Sequence, residues 1–195
     1  SFVEPVACCI KAAERSAISQ STPRTLIIGL GSIGLIMGQV VKHYAANAEV
    51  TGLDLIEDRF KLAQELGFDN YVSSLSHSDT QPPSHFDYIF LCAGSSATVD
   101  LAIKHAANGA TIIVFSSVAD ANKAFSNNDI YYKELTVLGS YSPNLSNLSE
   151  SLELISSGII KVQKLITHRA KLETLGETIK FCGANQGIKT YLSAK

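Results

Sequence analysis

Short apolar runs alternate along the chain with longer stretches in which apolar residues recur every three or four positions. The first kind reads as buried strands and the second as amphipathic helices. The opening stretch is helical: Val3, Val6, Ala7, Ile10, Ala13 and Ala17 share one face until "STPR" (21–24) breaks the pattern. "TLIIGL" (25–30) then reads as a buried strand and 32–46 as a helix. "AEVTGLD" (48–54) is a strand, and 57–67 a helix stopped by Gly67. "NYVSS" (70–74) suits a short edge strand, and the two prolines of "SHSDTQPPSH" (76–85) predict a loop.

"FDYIFLCAG" (86–94) is the next strand. A helix follows over 96–109 with Gly109 past its end, then the strand "ATIIVFSS" (110–117). A polar segment runs to "IYYKE" (130–134). "LTVLGSY" (135–141) gives another strand and 144–158 another helix. Strands alternating with helices of this length predict an α/β fold, a doubly wound parallel six-stranded sheet with helices on both faces. The tail leaves that rhythm, with "VQKLITHRAKL" (162–172), a helix over about 173–183, and "GIKTYLS" (187–193). Three segments result: a leading helix and linker (1–22), the sheet domain (23–161) and a C-terminal tail (162–195).

Composition narrows the classes. The 195 residues are 46% hydrophobic and 17% charged, a globular profile. The formal net charge is −2 and no block of Lys or Arg occurs, so nucleic acid and anionic membrane are excluded as partners. No apolar run approaches the roughly twenty residues a membrane span needs, and no secretory leader is expected. Cys8, Cys9, Cys92 and Cys182 form no CxxC pair and read as buried thiols of a cytoplasmic protein. The chain opens on Ser1 and its single methionine is Met37, so it reads as part of a longer protein.

The chemistry-bearing motif is Gly29-x-Gly31-x-x-Gly34, set between a strand and a helix. By itself the pattern is weak; the flanking elements and an acidic residue closing the next strand give it meaning. Gly29 permits the tight turn, Gly31 lets a pyrophosphate approach the backbone, and Gly34 lets the helix pack closely. The helix start, at Ser32 and Ile33, offers free N–H groups and a partial charge of about +0.5. Asp54, twenty positions beyond Gly34, is placed to accept from both adenosine ribose hydroxyls and to repel a 2′-phosphate, favouring NAD over NADP. Leu55 follows it. Arg59 has four readings: a 2′-phosphate partner, a guanidinium against adenine, a partner of Asp54, or a solvated helix residue. Ligands in such sheets bind beyond the carboxyl ends of strands. Those ends carry "CAGSS" (92–96, with Ala93 and Gly94), Phe115, Ser116 and Ser117, and Ser140 with Tyr141. Their small and hydroxyl side chains leave room for a ribose–nicotinamide half.

Read in order, "EPVACCIKAA", "GLGSIG", "VTGLD", "KELTVLGSY" and "THRAKLE" resemble the zinc-dependent medium-chain dehydrogenases, above all the sorbitol, polyol and threonine dehydrogenase branch. The resemblance runs the length of the chain. It implies a Rossmann domain in which Gly29, Gly31, Ile33 and Gly34 hold the pyrophosphate, and Asp54 and Arg59 the adenosine. Phe115 to Ser117 and Ser140 to Tyr141 run beside the nicotinamide. It implies zinc in the intact enzyme, with Glu4 at the place where relatives present a residue beside the metal. Glu4 reads equally as an acid complementing its helix dipole ahead of Pro5.

The family's N-terminal catalytic domain, with its zinc-binding Cys and Gly-His-Glu motif, has no counterpart here. His43, His77, His85, His105 and His168 show no ligand spacing. Ser142 stands where polyol enzymes place an arginine, so polyol, amino-alcohol and simple alcohol substrates all stay open. The flanks 1–22 and 162–195 match pieces that accompany the catalytic domain. The expectation is an NAD-binding part that is catalytically silent alone, with a small alcohol as partner through the missing domain. A homodimer or tetramer through the last sheet strand is expected as well. The alternatives are a non-catalytic NAD-sensing module, against which the long tail counts, and a methyltransferase fold, which gives Gly34 no purpose.

Overall fold

The computed structural model describes residues 2–18, 22–73, 86–117, 125–184 and 187–194. The loop expected at 76–85, with His77 and His85, lies outside the described residues. Two compact units divide the chain, Ser1–Ile160 and Lys161–Lys195.

In the first unit the elements are α1 (Val3–Ser16), β1 (Arg24–Ile28), α2 (Ser32–Tyr44), β2 (Glu49–Leu53), α3 (Asp58–Glu65) and β3 (Asn70–Val72). They continue with β4 (Phe86–Leu91), α4 (Ser96–His105), β5 (Ala106–Val114), α5 (Asn127–Lys133), β6 (Thr136–Gly139) and α6 (Leu145–Ser156). The six strands form one parallel sheet in the order β3-β2-β1-β4-β5-β6. The chain winds outward from β1 in one direction and from β4 in the other. The sheet is therefore doubly wound, with its switch point between those two strands.

Both faces of the central strands are apolar because both are covered. Leu26, Ile28, Ile89, Leu91 and Ile112 share one cluster with Val99, Ala102 and Leu135. Their neighbours Ile27, Phe90 and Ile113 alternate to the opposite face and are fully buried. Each such side chain contributes about 1.5–3 kcal/mol on burial. Helix α1 packs on α2 and α6. A capping box begins α6: the Asn144 side chain accepts from the Asn147 N–H (2.9 Å), and the Asn147 side chain accepts from the Asn144 N–H (3.2 Å). The Asn147 amide also donates to Glu14 of α1 at 2.8 Å, and Tyr44 of α2 donates to Glu150 of α6 at 2.8 Å.

Three local expectations are corrected. Helix α4 ends at His105, four residues short of Gly109, and β5 starts at Ala106. Lys133 Nζ donates to the carbonyls of Ile103 (2.6 Å), Lys104 (3.4 Å) and Ala106 (3.3 Å), which ends the helix early. Gly109 (φ 76°) instead sits where the β4–β5 register breaks, a bulge inside the strand. The polar segment before β6 contains α5, too short for periodicity to reveal. Ala17 leaves the apolar face of α1, because it is the exposed left-handed residue that ends the helix (φ 52°).

The second unit is a small parallel pair, β7 (Ile166–Lys171) and β8 (Lys189–Ser193), joined through α7 (Leu175–Gly183). His168 stacks on Phe181 at 4.3 Å within it. Among the described residues no helix is long and apolar enough to cross a membrane.

Candidate functional site

Strand β1 ends at Ile28, and Gly29 turns the chain with φ 98°, a conformation that favours glycine. Its N–H donates to the Leu53 carbonyl at 2.8 Å, and a Cβ there would lie 2.7 Å from the Ala93 methyl. A Cβ on Gly34 would collide with the carbonyl oxygen of Gly29. Gly31 differs from both, since a Cβ on it would meet open space. Two glycines therefore serve packing, and the third leaves an approach to the backbone from outside. No side chain caps α2 at Gly31, and its first turn holds no acid. The positive end of the helix is left uncompensated.

Asp54 stands beside this turn, 8% exposed. Its Oδ2 accepts from the Leu30 N–H at 2.7 Å and from Arg59 Nη1 at 2.9 Å, and its Oδ1 accepts from the Ile56 N–H at 2.9 Å. Three donors hold a buried carboxylate in place, as burial requires. Arg59, in the first turn of α3, has a side chain only 17% exposed, so it is the partner of Asp54 and not a solvated residue. Its Nε is buried with no hydrogen-bond partner among the described residues. Leu55 is 81% exposed.

The remaining expected residues follow the carboxyl ends of β4, β5 and β6. The Cys92 N–H bonds the Ile28 carbonyl across the switch point at 2.9 Å. A Cβ on Gly94 would collide with the Ser117 carbonyl, so the crossings after β4 and β5 run close together. The Phe115 N–H and the Ser116 hydroxyl both donate to the Leu91 carbonyl, at 3.2 and 3.1 Å. The Ser140 N–H donates to the Val114 carbonyl at 3.2 Å, and Tyr141 is 91% exposed. The glycine turn with Ser32 and Ile33, then Asp54, Ala93, Gly94, Phe115–Ser117 and Ser140–Tyr141, thus all lie along one edge of one sheet.

Two residues were missed. Thr98 Oγ1 donates to the carbonyls of Ala93 (3.1 Å) and Ser95 (2.6 Å) and shapes the turn after β4. Lys11 reaches the turn after β6 from α1. Neither carries a sequence signal, because a hydroxyl or an ammonium on a helix is ordinary surface polarity.

Glu4 is exposed in the first turn of α1 and accepts from the Cys8 thiol at 3.1 Å. Burial and the Glu4 carboxylate push Cys8 up to about 12, and burial pushes Cys92 to about 12 as well. Of the four thiols expected to be buried only Cys9 is; Cys8 and Cys92 are half-buried and Cys182 is exposed. No three of His, Cys, Asp and Glu converge on a metal position among the described residues.

The model of one family, zinc-binding dehydrogenase, matches residues 32–157, well over half of the chain. D-altritol 5-dehydrogenase of Agrobacterium fabrum is 28% identical over 178 residues, 89% of this chain and 52% of that protein. Acetophenone reductase of Geotrichum candidum, solved in complex with NAD, superposes with a TM-score of 0.83 at 25% identity, over 98% of this chain and 54% of that one. L-idonate 5-dehydrogenase of Escherichia coli shares the fold, with a TM-score of 0.85 at 23% identity over 98% and 55%. The chain spans about half the length of the relatives it matches.

Proposed function

The chain belongs to the zinc-binding dehydrogenases, the zinc-dependent medium-chain alcohol and polyol dehydrogenases, and from that premise we propose that it binds NAD and orients it for an alcohol substrate. One observation carries this reading: a buried carboxylate, Asp54, bonded to the Leu30 N–H of an open glycine turn beneath an uncapped helix start. In it the pyrophosphate lies against Gly31, Ser32 and Ile33, with Gly29 and Gly34 giving the turn its shape.

Asp54 then takes the adenosine ribose, with Leu55 and Arg59 beside it. A second negative charge on that ribose meets the carboxylate, while the guanidinium nearest to it is already engaged. This favours NAD over NADP. Ala93, Gly94, Phe115 to Ser117, Ser140 and Tyr141 border the nicotinamide half. The chemistry that NAD supplies when bound is acceptance of a hydride at the nicotinamide ring. This chain's residues hold the dinucleotide and fix its orientation.

The described residues offer no ligand set for zinc. Glu4 accepts from Cys8, and in this reading the described residues serve the dinucleotide and not the alcohol oxygen. The substrate is a small alcohol, the class for which the Agrobacterium fabrum relative is named. In this reading two copies pair through the edge strand β6, and Tyr131 and Tyr132 on the helix that precedes it are exposed. Four free thiols suit the reducing cytoplasm. Titration with NAD and NADP tests the cofactor assignment: NAD is expected to bind more tightly, and equal affinity would overturn the preference.

A further inference from the structure

Lys11 lies on α1, remote in sequence from every motif above, yet its Nζ donates to two consecutive carbonyls, of Tyr141 at 3.1 Å and Ser142 at 2.8 Å. Those carbonyls form the turn that leaves β6. Ser142 holds φ 56°, a left-handed conformation uncommon for a residue with a side chain. The Tyr141 side chain is almost fully exposed, so packing does not hold the turn. Its entry is fixed by the Ser140 N–H on Val114, and its exit by the ammonium of Lys11.

The place of this turn matters. In a doubly wound sheet each half serves one mononucleotide. The glycine turn and Asp54 belong to the β1–β3 half, so the carboxyl end of β6 serves the other, the nicotinamide half. We propose that Lys11 is a positioning residue for the nicotinamide half of the bound dinucleotide: it sets the backbone of the Ser140–Ser142 turn and touches no ligand itself. The inference rests on the NAD-binding reading above. A charge-assisted pair of bonds to main-chain oxygens is suited to this role, since it fixes a backbone without filling the space in front of it.

The test compares calorimetric titrations of the chain with NAD and with ADP-ribose, which lacks the nicotinamide. Lys11→Met is expected to weaken NAD binding about tenfold while ADP-ribose binding stays within about twofold, and Lys11→Arg, which keeps the donors, recovers most of the loss. Lys11→Gln keeps a polar helix residue too short to reach both carbonyls, and it is read the same way should the methionine variant not fold. Unchanged NAD binding in Lys11→Met, or equal weakening of both ligands, overturns the role of Lys11 alone. So does a wild-type chain that binds NAD no more tightly than ADP-ribose. A wild-type chain that binds neither ligand overturns the NAD-binding reading, and this proposal with it.

Discussion

The carboxylate of Asp54 accepts the backbone N–H of Leu30 at 2.7 Å, tying the end of β2 to the glycine turn that follows β1. The residue proposed to read the adenosine ribose thus also holds the segment proposed to take the pyrophosphate. The two parts of the site are one hydrogen-bonded structure. Its substitutions should accordingly register in stability as well as in binding.

Asp54→Ala leaves the Leu30 N–H unpaired and the Arg59 guanidinium buried without its anion. Breaking such a pair from one side costs about 3 kcal/mol. Urea unfolding should show this loss, with Asp54→Asn intermediate because it keeps an oxygen for Leu30. A variant as stable as wild type would show that the pair holds nothing in place.

The glycine turn and the six-stranded parallel sheet were legible because local residues mark the turn and the strands. Gly29 needs a positive φ, Gly34 has no room for a Cβ, and the strands are apolar on both faces. The end of α4 was not legible. His105 to Gly109 reads as helix by composition, but Lys133, nearly thirty residues onward, takes the helix's last carbonyls and releases the chain into β5. Arg59 was ambiguous for a related reason: its partner is chosen by the packing of α3, which spacing alone does not reveal. Lys11 gave no signal at all, since its two acceptors lie some 130 positions away.

Lys133→Met should therefore act on α4. Three carbonyls lose an ammonium donor, at an expected cost of about 1–2 kcal/mol. Hydrogen exchange should speed up in the last turn of α4 while β1 and β2 are unaffected. Uniform exchange changes across the sheet would contradict a local cap.

Thiol chemistry gives a pH prediction. Burial raises Cys92 to about 12 and raises Cys9 well above its ordinary value of 9.0, so the folded chain favours both thiols protonated. A raised pKa stabilises the fold fully below the unfolded value, and that contribution is lost as pH climbs through the folded one. Stability should decline from about pH 9 toward 12, and less steeply in Cys92→Ala. At pH 8 a disulfide reagent should label exposed Cys182 first and buried Cys9 last. Rapid labelling of Cys9 in the folded chain would contradict its burial.

The most direct measurement is calorimetric titration of NAD into the wild-type chain and into Gly31→Ala. Open space surrounds the position of that added methyl group and the backbone there suits alanine (φ −71°, ψ −172°), so folding should be unaffected. The wild type is expected to bind NAD, and Gly31→Ala, equally stable, to bind at least about tenfold more weakly, because the methyl occupies the path of the pyrophosphate. Equal binding by the two chains, or none by the wild type, would contradict a dinucleotide site at this turn.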